Sequence, residues 1–381
     1  MPSQQVPITP SVLRWAIDQS GIDADDLAQR LGVSTDELAA WGHGSSSPTK
    51  GQFTRLAHVL KRPTALFFLE KPPAHGSNDV SLRAAFGSLR RELTPEERNL
   101  IRYARGVQTL TQWTGIDLSS QSIPHSDFDA DPEEVAGLLR SKLGVKPFQQ
   151  RAWATASLAF DSWRRALEAV GVIVLQLDLG PTAIRGFSIV AQKAPLIAVN
   201  TSYSHYVRIF TAFHEVAHLI TDSSSACVGF AAPIRNVNRY ERWCERFAAS
   251  FLLPATNVRS FLEQHRPHHD PPGLDEVTAL SKSFLVSARA AAMRLIDLKL
   301  VDSSLYARVD AHWKPYERDD RRGGRAPLTP LKRLRQVGRR VATGVRSGVD
   351  KGQITTVDAL RYLDLTLSEY EDFSELAAAG P

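Results

Sequence analysis

Residues 208–220 read RIFTAFHEVAHLI, in which His214 and His218 stand four apart among Phe210, Phe213, Val216, Ala217, Leu219 and Ile220. Positions four apart lie on one face of an α-helix, one turn above the other, so this spacing stacks the two imidazoles. The apolar flanks predict a buried helix, and two desolvated imidazoles there need a partner. A metal is the simplest one. Neutral imidazole nitrogens at this separation converge on a single Zn²⁺ at about 2.0–2.1 Å each, while Glu215 projects where it can act as a general base without being a ligand. The competing reading is a helix with two incidental histidines.

A catalytic zinc takes three protein ligands, so a third is expected on a neighbouring helix. Residues 240–254, YERWCERFAASFLLP, begin a helical pattern whose Glu241 lies 23 residues after His218. Glu241 is the predicted third ligand, and Glu245, one turn on, is the predicted acceptor that orients a histidine, with pairing to Arg242 or Arg246 as its alternative. Cys244 reads as a small packing residue. Upstream, GVIVLQLDL, IRGFSIVA and PLIAVN are short Val- and Ile-rich runs bounded by Gly and Pro, which predict strands of one small sheet. Helical patterns flank them at Trp153–Val170, Tyr203–Asp222, Tyr240–Leu253, Leu274–Phe284 and Ser287–Leu298, making an α+β domain. An exposed strand edge, IRGFSIV or PLIAVN, would hold an extended peptide by strand addition. Arg185 and Asn200 read as fold-stabilising, and Tyr203, His205, Tyr206 and Tyr240 are candidates for stabilising an oxyanion.

Before this region, residues 9–69 show five short helical stretches. Asp23 and Ser34 stand at N-cap positions with Asp26 and Glu37 three residues later, and Gly21, Gly32 and Gly42 stand where helices should stop. The second and third stretches, joined by Gly32-Val33-Ser34, read as a helix-turn-helix. Residues 8–62 carry six basic and six acidic side chains, a net of zero, and the predicted recognition helix begins with Asp36 and Glu37. Operator binding draws on phosphate neutralisation, so this balance argues against DNA.

The 381 residues are 43% hydrophobic and 23% charged, which fits a folded protein of more than one domain. No run approaches the length of a membrane span and no leader pattern precedes Thr9, so a cytoplasmic protein with no membrane association is expected. Two cysteines, Cys227 and Cys244, are too few for a disulfide scaffold. The net charge of +5 is uneven. Residues 311–347 hold eleven Lys and Arg against three Asp and Glu, so this stretch is +8 and the rest −3. It reads as a nucleic-acid or acidic-partner contact, or as a solvated face.

Two resemblances add to this reading. Residues 9–69 resemble the helix-turn-helix domain of the xenobiotic-response-element (XRE) repressor family. Residues 163–254 resemble the ImmA/IrrE metallopeptidases, with IRGFSI, PLIAVN, FTAFHEVAHLI and ERWCERFAASFLLP in that family's order and spacing, and FLVSARAAAMRLIDLKLV resembles the helix that follows that core. The resemblance implies a multidomain, mainly α protein with an α+β part: a helix-turn-helix domain at 8–70, a helical linker at 71–149, a zincin-like peptidase domain at 150–300 and a basic helical region at 301–381. It implies Zn²⁺ held by His214, His218 and Glu241, and Glu215 as the general base. The implied activity is endopeptidase cleavage of a regulatory protein, a helix-turn-helix repressor, in a stress, mobile-element or phage-related response. A DNA-binding regulator with a sensing peptidase-like domain, or a toxin–antitoxin component, is the alternative. Where the family has Ala-Asn after its third ligand, this chain has Cys244 and Glu245.

Overall fold

A computed structural model describes residues 5–20, 22–60, 62, 64–72, 93–116, 123–181, 184–222, 226–227, 239–265, 271–313 and 329–379. The chain divides into two compact units, Met1–Arg102 and Tyr103–Pro381. Of the predicted basic stretch, Lys314, Arg318, Arg321, Arg322 and Arg325 lie outside the described residues, as do residues 73–92 of the predicted linker.

The first unit contains α1 (Pro10–Ser20), α2 (Ala24–Leu31), α3 (Thr35–His43), α4 (Lys50–Val59) and a 3₁₀ helix at Thr64–Phe68. Two predicted N-caps are in place, Asp23 accepting from the Asp25 amide and Ser34 from the Glu37 amide, whereas Asp26 pairs with Arg30 and closes no capping box, and the predicted stop Gly21 lies outside the described residues. Gly32 ends α2 in the left-handed region at φ +70°. Gly42 does not end α3. It lies buried inside the helix, which runs on to Gly44 at φ +78°. Glu37 accepts from the Gln52 amide group instead of closing a capping box, and the full box forms at Thr49 and Gln52. Leu13, Leu27, Leu31, Trp41, Leu56 and Phe67 fill the core. The arginines turn inward or pair: Arg14 donates to the Gly42 carbonyl, Arg55 to that of Leu31, Arg30 pairs with Asp26 at 2.7 Å and Arg62 lies over the Trp15 ring.

Helix α5 (Pro95–Trp113) contains the division. The second unit continues with α6 (Pro132–Leu143), α7 (Pro147–Ala152) and α8 (Ala156–Ala169). Strands β1 (Ile173–Leu177), β2 (Gly186–Ile189) and β3 (Leu196–Asn200) follow, then α9 (His205–Ile220) and the two-residue β4 (Ala226–Cys227). Next come α10 (Arg239–Leu252), α11 (Ala255–His265), α12 (Leu274–Phe284), α13 (Ala288–Asp297) and α14 (Ser304–His312). The chain closes with α15 (Pro330–Val337), α16 (Arg339–Asp350), α17 (Thr356–Leu363) and α18 (Leu367–Ala378). Among the described residues no helix is long and apolar enough to cross a membrane.

The sheet order is β1-β3-β2-β4, with β1 parallel to β3 and the other pairings antiparallel. One expectation fails here. PLIAVN is an interior strand, hydrogen-bonded on both sides, and β2 is already paired with β4 at Gly186 and Phe187. All five residues of β3 are buried, which explains why its sequence is apolar from Leu196 to Val199 and not alternating. Helix α9 crosses this sheet, and every residue from Ile209 to Ile220 is buried.

The core behind α9 is aromatic. Phe213 stacks on Phe251 of α10 at 3.9 Å and meets Trp163 of α8 edge-on at 5.1 Å. Arg140 lies against Trp163 and Phe251 and donates to the Phe251 carbonyl and to Gln150, whose own amide group donates to the carbonyls of Leu252 and Phe284. These two buried side chains satisfy the carbonyl ends of α10 and α12, groups that would each cost about 1–3 kcal/mol if left unpaired.

The C-terminal helices join the same unit through a buried ion pair. Arg164 pairs with Glu168 at 2.8 Å and donates to the carbonyls of Val174, Arg335 and Gln336. Gly338 is needed beside it: at φ +88°, a Cβ there would fall 2.2 Å from Glu168 Oε1. The basic residues after 330 are partly spent on such contacts. Arg333 is 2% exposed, stacked over Tyr103 and bonded to Asp364 and Gln336, and Arg339 donates to the carbonyls that end α18. Burial pushes the Tyr103 phenol up to about 12 even with Arg333 beside it.

Candidate metal centre

Helix α9 presents His214 and His218 one turn apart, and α10 packs across it, bringing Glu241 from its first turn. His214 Nε2 is 3.3 Å from His218 Nε2 and 3.3 Å from Glu241 Oε2, and His218 Nε2 is 3.7 Å from the same oxygen. Tetrahedral ligands at about 2.0–2.1 Å from a zinc ion stand about 3.3–3.4 Å from one another, so this triangle of two nitrogens and one oxygen fits the ion in size and donor chemistry. His214 and His218 are 7% and 3% exposed, and Glu215, between them in sequence, is 0% exposed.

The electrostatics agree. Burial alone would raise the Glu241 carboxyl, yet hydrogen bonds and charge from the two imidazoles hold it well below the usual carboxylate range. For His214, burial lowers the pKa, but Glu241 and the charges of Glu215 and Glu245 outweigh it and leave the ring raised. Glu241 and His214 thus each favour the other's charged form.

Beneath the site, Gly186 of β2 lets the sheet approach α9. A Cβ there would meet Thr211 Cγ2 at 2.6 Å, the Ala198 carbonyl oxygen at 2.7 Å and Glu215 Cγ at 3.4 Å. An isolated glycine within a strand pattern signals such an approach, so the sequence did contain this clue. Gly186→Ala should force β2 and α9 apart and destabilise the protein by about 1–3 kcal/mol, read as a lower unfolding midpoint. An unchanged midpoint would show that the strand relaxes without cost.

The neighbour of the His218 ring is Cys244, while Glu245 acts on His214 through its charge. His218 Nδ1 faces Cys244 Sγ at 3.8 Å, not Glu245. Cys244 is fully buried, and burial together with Glu241, Glu215 and Glu245 pushes its thiol well above the ordinary range. Glu245 is half-buried, and burial raises its carboxyl despite the opposing charge of His214, with Glu241 and Asp297 adding to the rise. Asn200 has the structural role expected of it: its side chain donates to the carbonyls of Gly180 and Ile184 and accepts from the amides of Leu179 and Ser202. Arg185 lies over the Tyr203 ring, whose hydroxyl donates to the Pro181 carbonyl. The other aromatic candidates have packing contacts: His205 with Phe160, Tyr240 with Phe128, and Tyr206 against the core.

A protein-family model described as the IrrE N-terminal-like domain, Peptidase M78, matches residues 167–296. No curated protein matches the chain. The matched segment runs from the end of α8 through α13 and contains the sheet, the histidine helix and the Glu241 helix, so the match supports the ImmA/IrrE family for this part of the chain and points to a metallopeptidase-like activity.

Proposed function

We propose that the second unit is a zinc-dependent endopeptidase in which His214, His218 and Glu241 hold the metal and Glu215 is the general base. The donor triangle of 3.3, 3.3 and 3.7 Å, closed by a carboxylate from a second helix, carries this reading. A zinc ion held there would supply a Lewis acid that polarises a peptide carbonyl and activates water. Glu215 accepts the proton of the attacking water and returns it to the leaving amine. The two imidazoles keep their Nε2 lone pairs on the metal side, and the aromatic core of Phe213, Phe251 and Trp163 fixes α9 against α10. A pure sensor has no use for a base between its ligands, so Glu215 favours hydrolysis over the regulator reading.

The first unit supports a reading of the target class. We assign α1–α4 as a helix-turn-helix module that docks a protein, in keeping with a repressor as substrate in a stress, mobile-element or phage-related response. Its arginines are engaged within the domain, while Asp25 and Asp36 on the α2–α3 surface are exposed, a pattern suited to a cationic protein surface and ill-suited to phosphates. Mapping of new protein N-termini in cells expressing the chain tests both parts. One dominant new terminus, within a helix-turn-helix protein, is expected, and Asp25→Lys with Asp36→Lys should abolish it without loss of zinc. No new terminus in any protein would overturn the peptidase reading; an undiminished terminus with the charge-reversed variant would overturn the docking assignment.

A further inference from the structure

Cys244 occupies a special place in this centre. It lies three residues after Glu241 on α10, so both face α9. Glu241 meets the Nε2 edge of His218, and Cys244 Sγ lies 3.8 Å from Nδ1 on the ring's opposite side. Both residues are buried, at 0% and 3% exposure, so the contact is shielded from water. An imidazole that offers its Nε2 lone pair to a metal carries its proton on Nδ1, and that N–H needs an acceptor that holds the ring in plane with the metal.

We propose that Cys244 is the positioning residue for His218: its sulfur accepts the Nδ1–H hydrogen bond and fixes the tautomer and rotation with which His218 binds the metal. This rests on the metal reading above. Sulfur is a weak acceptor, softer than the carboxylates and carbonyls that usually fill this position, so it orients the ring while adding little to its basicity. Two of its features are absent from an ordinary packing cysteine. It contacts a side chain whose orientation matters, and it lies on the same helix face as Glu241, so one helix holds both edges of the His218 ring.

The test compares Cys244→Ala and Cys244→Ser in the full chain, with zinc and cobalt(II) as probes. Chelator competition should show zinc bound about tenfold more weakly by Cys244→Ala, the low end of the effect of an outer-shell partner. Cys244→Ser, which restores an acceptor on a shorter bond, should recover part of that loss. The visible absorption of the cobalt-loaded protein should change with Cys244→Ala and return towards that of the unaltered protein with Cys244→Ser. Unfolding of the zinc-free forms serves as the control for packing: a residue that only fills space would lower the zinc-free midpoint and leave the affinity and cobalt spectrum in place, which would overturn the assignment. A serine variant no better than alanine would overturn it as well. If the unaltered chain binds neither ion, the metal reading itself fails, a result distinct from either of these.

Discussion

Glu215→Gln should abolish most cleavage of a confirmed target, by about 10²–10⁴-fold, while zinc content and unfolding midpoint stay at the values of the unaltered protein. Glutamine fills the same space beside Gly186 and Thr211, so α9 keeps its seat on the sheet. What it lacks is a basic oxygen: an amide cannot take the proton from an attacking water. The carboxylate is 0% exposed and lies on the helix turn between the two histidines, so no solvent group replaces it readily. Single-turnover cleavage and metal analysis on one preparation separate the outcomes. Undiminished cleavage would mean that another residue is the base, and loss of zinc would mean that Glu215 supports the metal site itself.

His218→Ala should lose most of its zinc, with an affinity drop beyond the roughly 10- to 100-fold typical of an outer-shell partner. The variant should also lose the rise in unfolding midpoint that zinc gives the unaltered chain, because that rise reports binding to the folded state alone. Full zinc retention would sink the ligand assignment. Protons compete for the same atoms, and the sign of that competition follows from the site. Glu241 and its neighbours raise His214 above its ordinary 6.5, so zinc affinity should climb as pH rises through that region and fall on acidification. In zinc-free protein the raised imidazole contributes stability at pH below 6.5, and this is lost as pH rises through its folded value. Glu241, held low, contributes above its ordinary 4.5 and loses that contribution on acidification towards its folded value. Unfolding midpoints of chelated protein across this range should therefore decline on both sides of the window, and a midpoint that keeps rising above it would contradict the coupling.

The HEVAH spacing was enough to place two imidazoles on one face of a helix, because helical periodicity is local and the flanking Phe, Val, Leu and Ile leave α9 little choice but burial. The same logic located three of the four strands among the described residues, the caps Asp23, Gly32 and Ser34 in the first unit, and Glu241, whose helix begins at Arg239. Strand order was beyond reach. PLIAVN and IRGFSIV are both short apolar runs, and only the pairing of β3 with β1 and β2, and of β2 with β4, made one interior and paired the other at Gly186 and Phe187. The orienting contact likewise depended on where α10 crosses α9. Glu245 and Cys244 are adjacent in sequence but about 100° apart around the helix, and the crossing turned the thiol, not the carboxylate, towards His218. The basic stretch was ambiguous for the same reason: composition counts charges, whereas tertiary packing turned Arg333 onto Tyr103 and Arg339 onto the end of α18. Residue chemistry and local period determined which groups this protein offers to a metal; long-range packing decided which of their neighbours hold them there.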